Sequence, residues 1–177
     1  NAAKLLAKNK IVGRFCGRAE FGARSLGNRS ILANPNNILV KKKINETIKN
    51  RDFWMPFALT ILADKQKKII FNNKKIECDY MTIGFDTKKD FVRNIKAGIH
   101  PYDLTVRPQI LKKESNEKYY NLINHFYKIT GIPAVLNTSL NLHGNPISSS
   151  LEDVINTFKV SGLKYLYLED QYLIEKK

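Results

Sequence analysis

Apolar side chains recur four apart at Val40, Ile44 and Ile48, with polar residues between them. That period lines one face of a helix and predicts an amphipathic helix over 38–50. Residues 2–8 carry a shorter helical pattern, and IVGRFC (11–16) reads as a strand. ILANPNN, with Pro35 and three Asn, marks a turn ahead of the 38–50 helix. FWMPFALTIL is strand-like beyond Pro56, 65–75 is a charged hairpin or loop, and YMTIGF is a short strand. DLTVRPQIL predicts another strand, interrupted at Pro108, with Thr105, Arg107 and Gln109 alternating onto one face.

The second half is patterned more sharply. Ser115 is placed to N-cap a helix whose inner face holds Tyr119, Leu122, Ile123, Phe126 and Tyr127, and Gly131 is a natural stop. IPAVLN is a buried strand, and TSLNLHGNPISS is a polar loop. Ser149 with Glu152 resembles a capping box opening a helix with Leu151, Val154, Ile155 and Phe158 inward; Gly162 ends it, and KYLYLE is the last strand. Strands alternate with helices, while the first half is hairpin-like. The pattern predicts one α/β (α+β) domain over 1–177, a mixed sheet with flanking helices and no internal repeats.

Composition narrows the class. At 177 residues with 43% hydrophobic and 10% aromatic content, the chain is long enough and apolar enough to bury a core. No apolar run approaches the roughly 20 residues that span a bilayer, so no membrane partner is expected. NAAKLLAKNK is lysine-rich without an apolar core of the signal-peptide kind. The absence of an initiating Met, and an opening inside a helical pattern, predict a fragment of a longer chain. Cys16 and Cys78 are far apart, and with His100, His125 and His143 they form no metal-ligand spacing. Two reduced cysteines of a cytoplasmic protein, with no protein-held metal, are the expectation.

The net charge of +14 suits nucleic acid, an anionic surface or phosphorylated small molecules. Its division says more. There are 23 Lys and 7 Arg, beside 18 Asn, so a compositional bias accounts for many surface lysines and the few arginines carry the information. Five of the seven (Arg18, Arg24, Arg29, Arg51 and Arg107) fall in three short segments. Arg is preferred over Lys where a planar fork must grip phosphate or carboxylate in two places.

Four segments carry candidate chemistry. In GRAEFGARSLGNRS (17–30) the glycines permit φ > 0, so amides can turn toward an anion, and Arg24, Ser25, Asn28 and Arg29 add donors. The same loop also fits a surface turn whose arginines pair with Glu20. KNRDFWMPF places Lys49 and Arg51 at a helix end, where cations also simply complement the helix dipole. LTVRPQ offers Arg107 on a polar strand face, which is either solvated or lines a cleft. VLNTSLN ends a buried strand with Asn137, Ser139 and Asn141, residues suited both to turns and to orienting a planar group or a phosphate.

Taken in order, GRAEFGARSLGNRS, INETIKNRDFWMPFA, HPYDLTVRPQ and TGIPAVLNTSLNLHGNPI resemble the C-terminal region of the O-carbamoyltransferase family of antibiotic and nodulation-factor biosynthesis. The resemblance runs from the first helix to LYLEDQYLI. It implies a YrdC-like domain with a twisted mixed sheet, whose Lys-x-Arg and Ser-x-Asn signature would be Lys49-x-Arg51 and Ser139-x-Asn141. It further implies binding of ATP and carbamoyl phosphate, with Mg²⁺ held through the phosphates, and formation of carbamoyl adenylate. A separate N-terminal transfer domain would pass the carbamoyl group to an acceptor hydroxyl. Lys49, Arg51 and Arg107 would then be catalytic; Arg24, Ser25, Asn28, Arg29, Asn137, Ser139 and Asn141 would hold the substrates. Neither Cys lies in these segments and no GxSxG occurs, so no nucleophile is expected. The rival readings are a basic RNA-binding module and a nucleotide-binding remnant. Basic and aromatic residues are not interleaved as in an RNP motif, which counts against RNA.

One position departs from the family pattern: Met55 in WMPF stands where an Arg is expected. A thioether carries no charge, and one charged contact is worth about a few kcal/mol of transition-state stabilisation. Met55→Arg is therefore expected to raise carbamoyl-phosphate-dependent pyrophosphate release from ATP. A slower rate in the variant would show that this segment is arranged differently from the family pattern.

Overall fold

A computed structural model describes residues 1–49 and 57–176. Its strands, in chain order, are β1 (Val12–Phe15), β2 (Arg29–Ala33), β3 (Ala58–Leu62), β4 (Phe85–Asp86), β5 (Thr105–Val106), β6 (Gln109–Leu111), β7 (Ala134–Ser139), β8 (Tyr165–Leu168) and β9 (Tyr172–Glu175). Its α-helices are α1 (Ala2–Ala7), α2 (Leu39–Ile44), α3 (Glu117–Thr130) and α4 (Leu151–Val160). Seven strands form one sheet in the order β6-β3-β7-β2-β1-β8-β9, and β4 with β5 makes a separate ribbon. Parallel pairs (β1 with β8, β3 with β6) mix with antiparallel ones (β1 with β2, β7 with β2 and β3, β8 with β9), so the sheet is mixed as expected.

The apolar patterns end where expected and the polar caps refine them. Val40, Ile44 and Ile48 are all buried, but the helix predicted over 38–50 is α2 followed by a wider π turn, Asn45–Lys49. That turn carries Ile48 and Lys49 inward together, and such turns gather at functional sites. The N-cap of α3 is Asn116, not Ser115: its Oδ1 accepts from the Tyr119 amide at 3.1 Å. Gly131, at φ +74, closes the helix, and its amide donates to the Tyr127 carbonyl at 2.8 Å. Tyr127 is half-buried at the helix edge, where its hydroxyl accepts from Lys68. The capping box of α4 is Ser150 with Asp153, one residue later than expected, which leaves Leu151 exposed while Val154 and Phe158 pack inward.

Three expectations are corrected. In the charged stretch 65–75, the first residues belong to a 3-10 helix, Ala63–Lys68, and only the remainder is loop. YMTIGF is a strand only at its end, because Met81 takes φ +59, a left-handed conformation foreign to a strand. Pro108 parts β5 from β6 into different sheets, so Thr105, Arg107 and Gln109 do not share a face: Arg107 is exposed, Gln109 is buried, and Thr105 bonds Asp103. β9 is a strand beyond KYLYLE that the pattern did not predict.

One sheet face is crossed by buried polar side chains from five adjacent strands: Arg14, Ser30, Asn137, Thr60 and Gln109. Helix α3 covers it, and the Tyr119 hydroxyl donates to Thr60 Oγ1 at 3.0 Å. Arg14 is fully buried, 5.2 Å from the Tyr119 ring centre. Its guanidinium pairs with both oxygens of Asp170 and donates to the Gly27 carbonyl at 2.5 Å. Burial alone would lower the Arg14 pKa; the Asp170 carboxylate outweighs it and the net shift is upward. Asp170→Asn leaves a buried guanidinium without its counter-charge and is expected to cost about 3–5 kcal/mol in urea unfolding at pH 7. A loss below about 1 kcal/mol would mean that the pair behaves as an exposed one.

Candidate functional site

The glycine loop takes its shape from the sheet beneath it. Three consecutive carbonyls each accept from a buried side chain on a different strand: Ser25 from Asn137 at 3.0 Å, Leu26 from Gln109 at 3.0 Å, and Gly27 from Arg14 at 2.5 Å. Gly27 lies at φ +124, and a Cβ there would stand 2.3 Å from Tyr119 Cδ1, so both backbone and space require glycine. Carboxylates hold the loop's other end. Glu20 accepts from the amides of Asn28 (2.7 Å) and Arg29 (3.0 Å), and Glu169 from the amide of Gly17.

This fastening leaves Arg24 exposed on the rim of a polar cleft of about 130 Å³. Arg24, Ser25, Arg107, Asn137 and Ser139 line it together, with Met81 at one wall. Residues more than a hundred positions apart thus converge. Among the described residues neither Arg24 nor Arg107 makes an ion pair, so two guanidinium groups face the opening. Beside them the buried Lys49 ammonium donates to the Ser139 carbonyl at 2.5 Å, to Ser139 Oγ at 3.1 Å, and to Asn141 Oδ1. The Ser139 hydroxyl donates to Asn141 Oδ1 at 2.6 Å, closing a Lys49–Ser139–Asn141 cluster with one member in the cleft wall.

The other candidates lie differently. Arg29 is buried, stacked 3.8 Å from the Phe15 ring centre, and spends its N–H groups on the carbonyls of Cys16, Gly17, Asn28 and Ser149. Asn28 borders a separate depression, where its Oδ1 accepts from Asn116 and its Nδ2 donates to the Arg18 carbonyl. Ser25 lines the cleft, but its hydroxyl donates into the loop, to the Arg29 carbonyl, and lies 2.5 Å from Ser30 Oγ. Arg51 and Met55 fall outside the described residues. Burial pushes the Cys16 thiol up to about 11, so it is a neutral thiol at neutral pH.

A larger cavity of about 540 Å³ opens between α1 and α3, lined by Lys4, Lys118, His125 and Asp170 and by none of the candidate residues. Convergent polar groups, not volume, make the small cleft the candidate site. Among the described residues no group of three His, Cys, Asp or Glu could hold a metal, and no helix is long and apolar enough to cross a membrane. Arg14, Thr60 and Tyr119, which shape the site from below, lie outside the motifs that the sequence singles out for chemistry. An arginine in the middle of an apolar strand, IVGRFC, was a signal for the first.

A family model described as "Carbamoyltransferase C-terminus" matches residues 3–176. MJ1051 of Methanocaldococcus jannaschii is 44% identical over 172 residues, covering 97% of this chain and 32% of that protein. Nodulation protein NolNO of Sinorhizobium fredii is 35% identical over 177 residues, covering 99% of this chain and 26% of that protein. The chain thus spans under a third of the length of either relative. Among solved structures, full-length HypF in the phosphate- and nucleotide-bound form superposes with a TM-score of 0.63 at 16% identity, over 91% of this chain and 23% of HypF. The fold is the YrdC-like one.

Proposed function

Since the chain belongs to the carbamoyltransferase C-terminus family, we propose that it binds ATP and carbamoyl phosphate and forms carbamoyl adenylate, for transfer to an acceptor hydroxyl by an N-terminal domain of the longer protein. The observation that carries this reading is the convergence of Arg24, Arg107 and the Lys49–Ser139–Asn141 cluster on one cleft. Its volume, about 130 Å³, suits a group of carbamoyl phosphate size. Whole-ligand pockets run to roughly 300–1,000 Å³, so the rest of the nucleotide would lie across the open rim beside Arg24.

The chemistry asks little covalent work of the protein. Carbamoyl phosphate gives its phosphoryl group to water, leaving carbamate and inorganic phosphate. A carbamate oxygen then attacks the α-phosphorus of ATP, the bond from that phosphorus to the bridging oxygen breaks, and pyrophosphate leaves with the electron pair. Positioning and neutralisation of charge do most of the work. Arg24 and Arg107 grip phosphate oxygens in the fork geometry that Lys lacks. Lys49 holds Ser139 and Asn141 in place and contributes a buried positive charge. Arg51 joins them on the family pattern. Mg²⁺ carried by the nucleotide would supply further neutralisation; the cleft lining described holds no Asp or Glu, so the protein itself would hold the ion only through the phosphates.

Calorimetry with ATP and with carbamoyl phosphate, run beside a short duplex RNA, tests the reading. Arg24→Lys is expected to weaken ATP binding by about 1–3 kcal/mol although the charge is kept. RNA binding, if it is the function, would instead fall steeply with salt and scarcely notice the substitution. Equal ATP affinity in the two proteins would reduce the loop to bulk positive charge.

A further inference from the structure

One acceptor in the cleft wall stands out. Asn137 is 1% exposed and lines the cleft, yet its Oδ1 has no hydrogen-bond partner among the described residues. A buried acceptor left unpaired costs about 1–3 kcal/mol, so native structures keep few of them. The other two such atoms, Asp79 Oδ1 and Thr87 Oγ1, belong to residues that do not line the cleft.

The orientation of this amide is settled by its neighbours. Gln109 Nε2 donates to the Leu26 carbonyl at 3.0 Å, which can only accept, so Gln109 must turn Oε1 toward Thr60. Thr60 Oγ1 therefore spends its single hydrogen on Gln109 Oε1, at 2.8 Å. It can then only accept from its two other neighbours, Tyr119 Oη at 3.0 Å and Asn137 at 3.1 Å. The second contact of the Asn137 amide is the Ser25 carbonyl, again an acceptor, at 3.0 Å. Both hydrogens of Nδ2 are thereby used, and Oδ1 cannot exchange places with Nδ2 without losing two bonds.

We propose that Asn137 Oδ1 accepts an N–H of the carbamoyl group, so that Asn137 selects a carbamoyl substrate over acyl groups that lack this donor, with Thr60, Gln109 and Tyr119 as the positioning residues that hold the amide. The inference rests on the function proposed above and adds the group that the cleft reads. An NH₂ satisfies the stranded acceptor; a methyl of the same size leaves it stranded and buried. Sites built to bond a substrate N–H or O–H reject the analogue lacking it far better than apolar pockets tell methyl groups apart.

The test compares carbamoyl phosphate with acetyl phosphate as the partner in pyrophosphate release from ATP, in the wild type and in Asn137→Ala, Thr60→Val and Thr60→Ser. The wild type is expected to favour carbamoyl phosphate in kcat/KM. Asn137→Ala and Thr60→Val should each reduce that preference about tenfold or more, as loss of a substrate-reading bond does. In Thr60→Val, which leaves the Asn137–Ser25 bond in place, the KM for ATP should stay near the wild-type value, and Thr60→Ser, which keeps the hydroxyl, should retain the preference. A role confined to folding would lower both rates together and leave their ratio alone. Release by the wild type with an unchanged ratio in folded Asn137→Ala or Thr60→Val overturns the inference by itself. No carbamoyl-phosphate-dependent release from the wild type overturns the functional reading and the inference with it.

Discussion

The structure hangs on the fastening of three successive carbonyls, those of Ser25, Leu26 and Gly27, to buried donors from β7, β6 and β1. A loop this rich in glycine has high conformational entropy in the unfolded chain. What overcomes it is not a contact between neighbours in sequence but a set of side-chain donors rising from the sheet. Each donor is buried, so each would be costly to leave unpaired, and the loop carbonyls are what pair them. Loop and sheet therefore order each other. The Arg14–Asp170 pair extends the same logic to the β8–β9 turn, and Gly27 is pressed to the Tyr119 ring because nothing larger fits beneath it.

That arrangement sorts the cations into different tasks. Arg29 is consumed by backbone carbonyls and an aromatic face, a use for which the planar, weakly hydrated guanidinium is well suited. Arg14 is consumed by the turn and loop. Arg24 and Arg107 keep their forks in solvent at the cleft rim, where two-point contacts with phosphate are available. Lys49, a compact charge on a flexible stem, is buried where three acceptors from Ser139 and Asn141 surround it. It sits in the π turn Asn45–Lys49 that follows α2, where Ile48 and Lys49 are both buried.

The buried polar row has a functional reading as well as a structural one. Hydrogen bonds that run from Tyr119 through Thr60 to Gln109 polarise one another and fix the orientation of each amide they touch. A site meant to distinguish small planar groups needs such rigidity, because a side chain free to flip would present donor and acceptor alternately. The same row packs against α3, so the element that closes the core also braces the cleft.

Much of this was legible in the sequence, and for a local reason. The periodicities of α3, α4, β1 and β7 reflect which side chains must leave water, and that demand is written residue by residue. Lys49 and Ser139-x-Asn141 stood out in the sequence only through the resemblance, as parts of the Lys-x-Arg and Ser-x-Asn signature. The resemblance to a family was legible as well, because whole segments carry it. The caps of α3 and α4 fell one residue from where pattern alone put them, since adjacent Ser, Asn, Asp and Glu compete for the same amides and only the entry angle of the chain decides. What no local pattern contained was the division of labour among the arginines. Arg24 and Arg29 lie five residues apart in one motif, and one faces solvent while the other is buried, because the acceptors that claim Arg29 include the Ser149 carbonyl, 120 residues away. Charge, glycine content and spacing were set by the sequence; which donor remains free to meet a ligand was decided only when the tertiary fold brought distant carbonyls within reach.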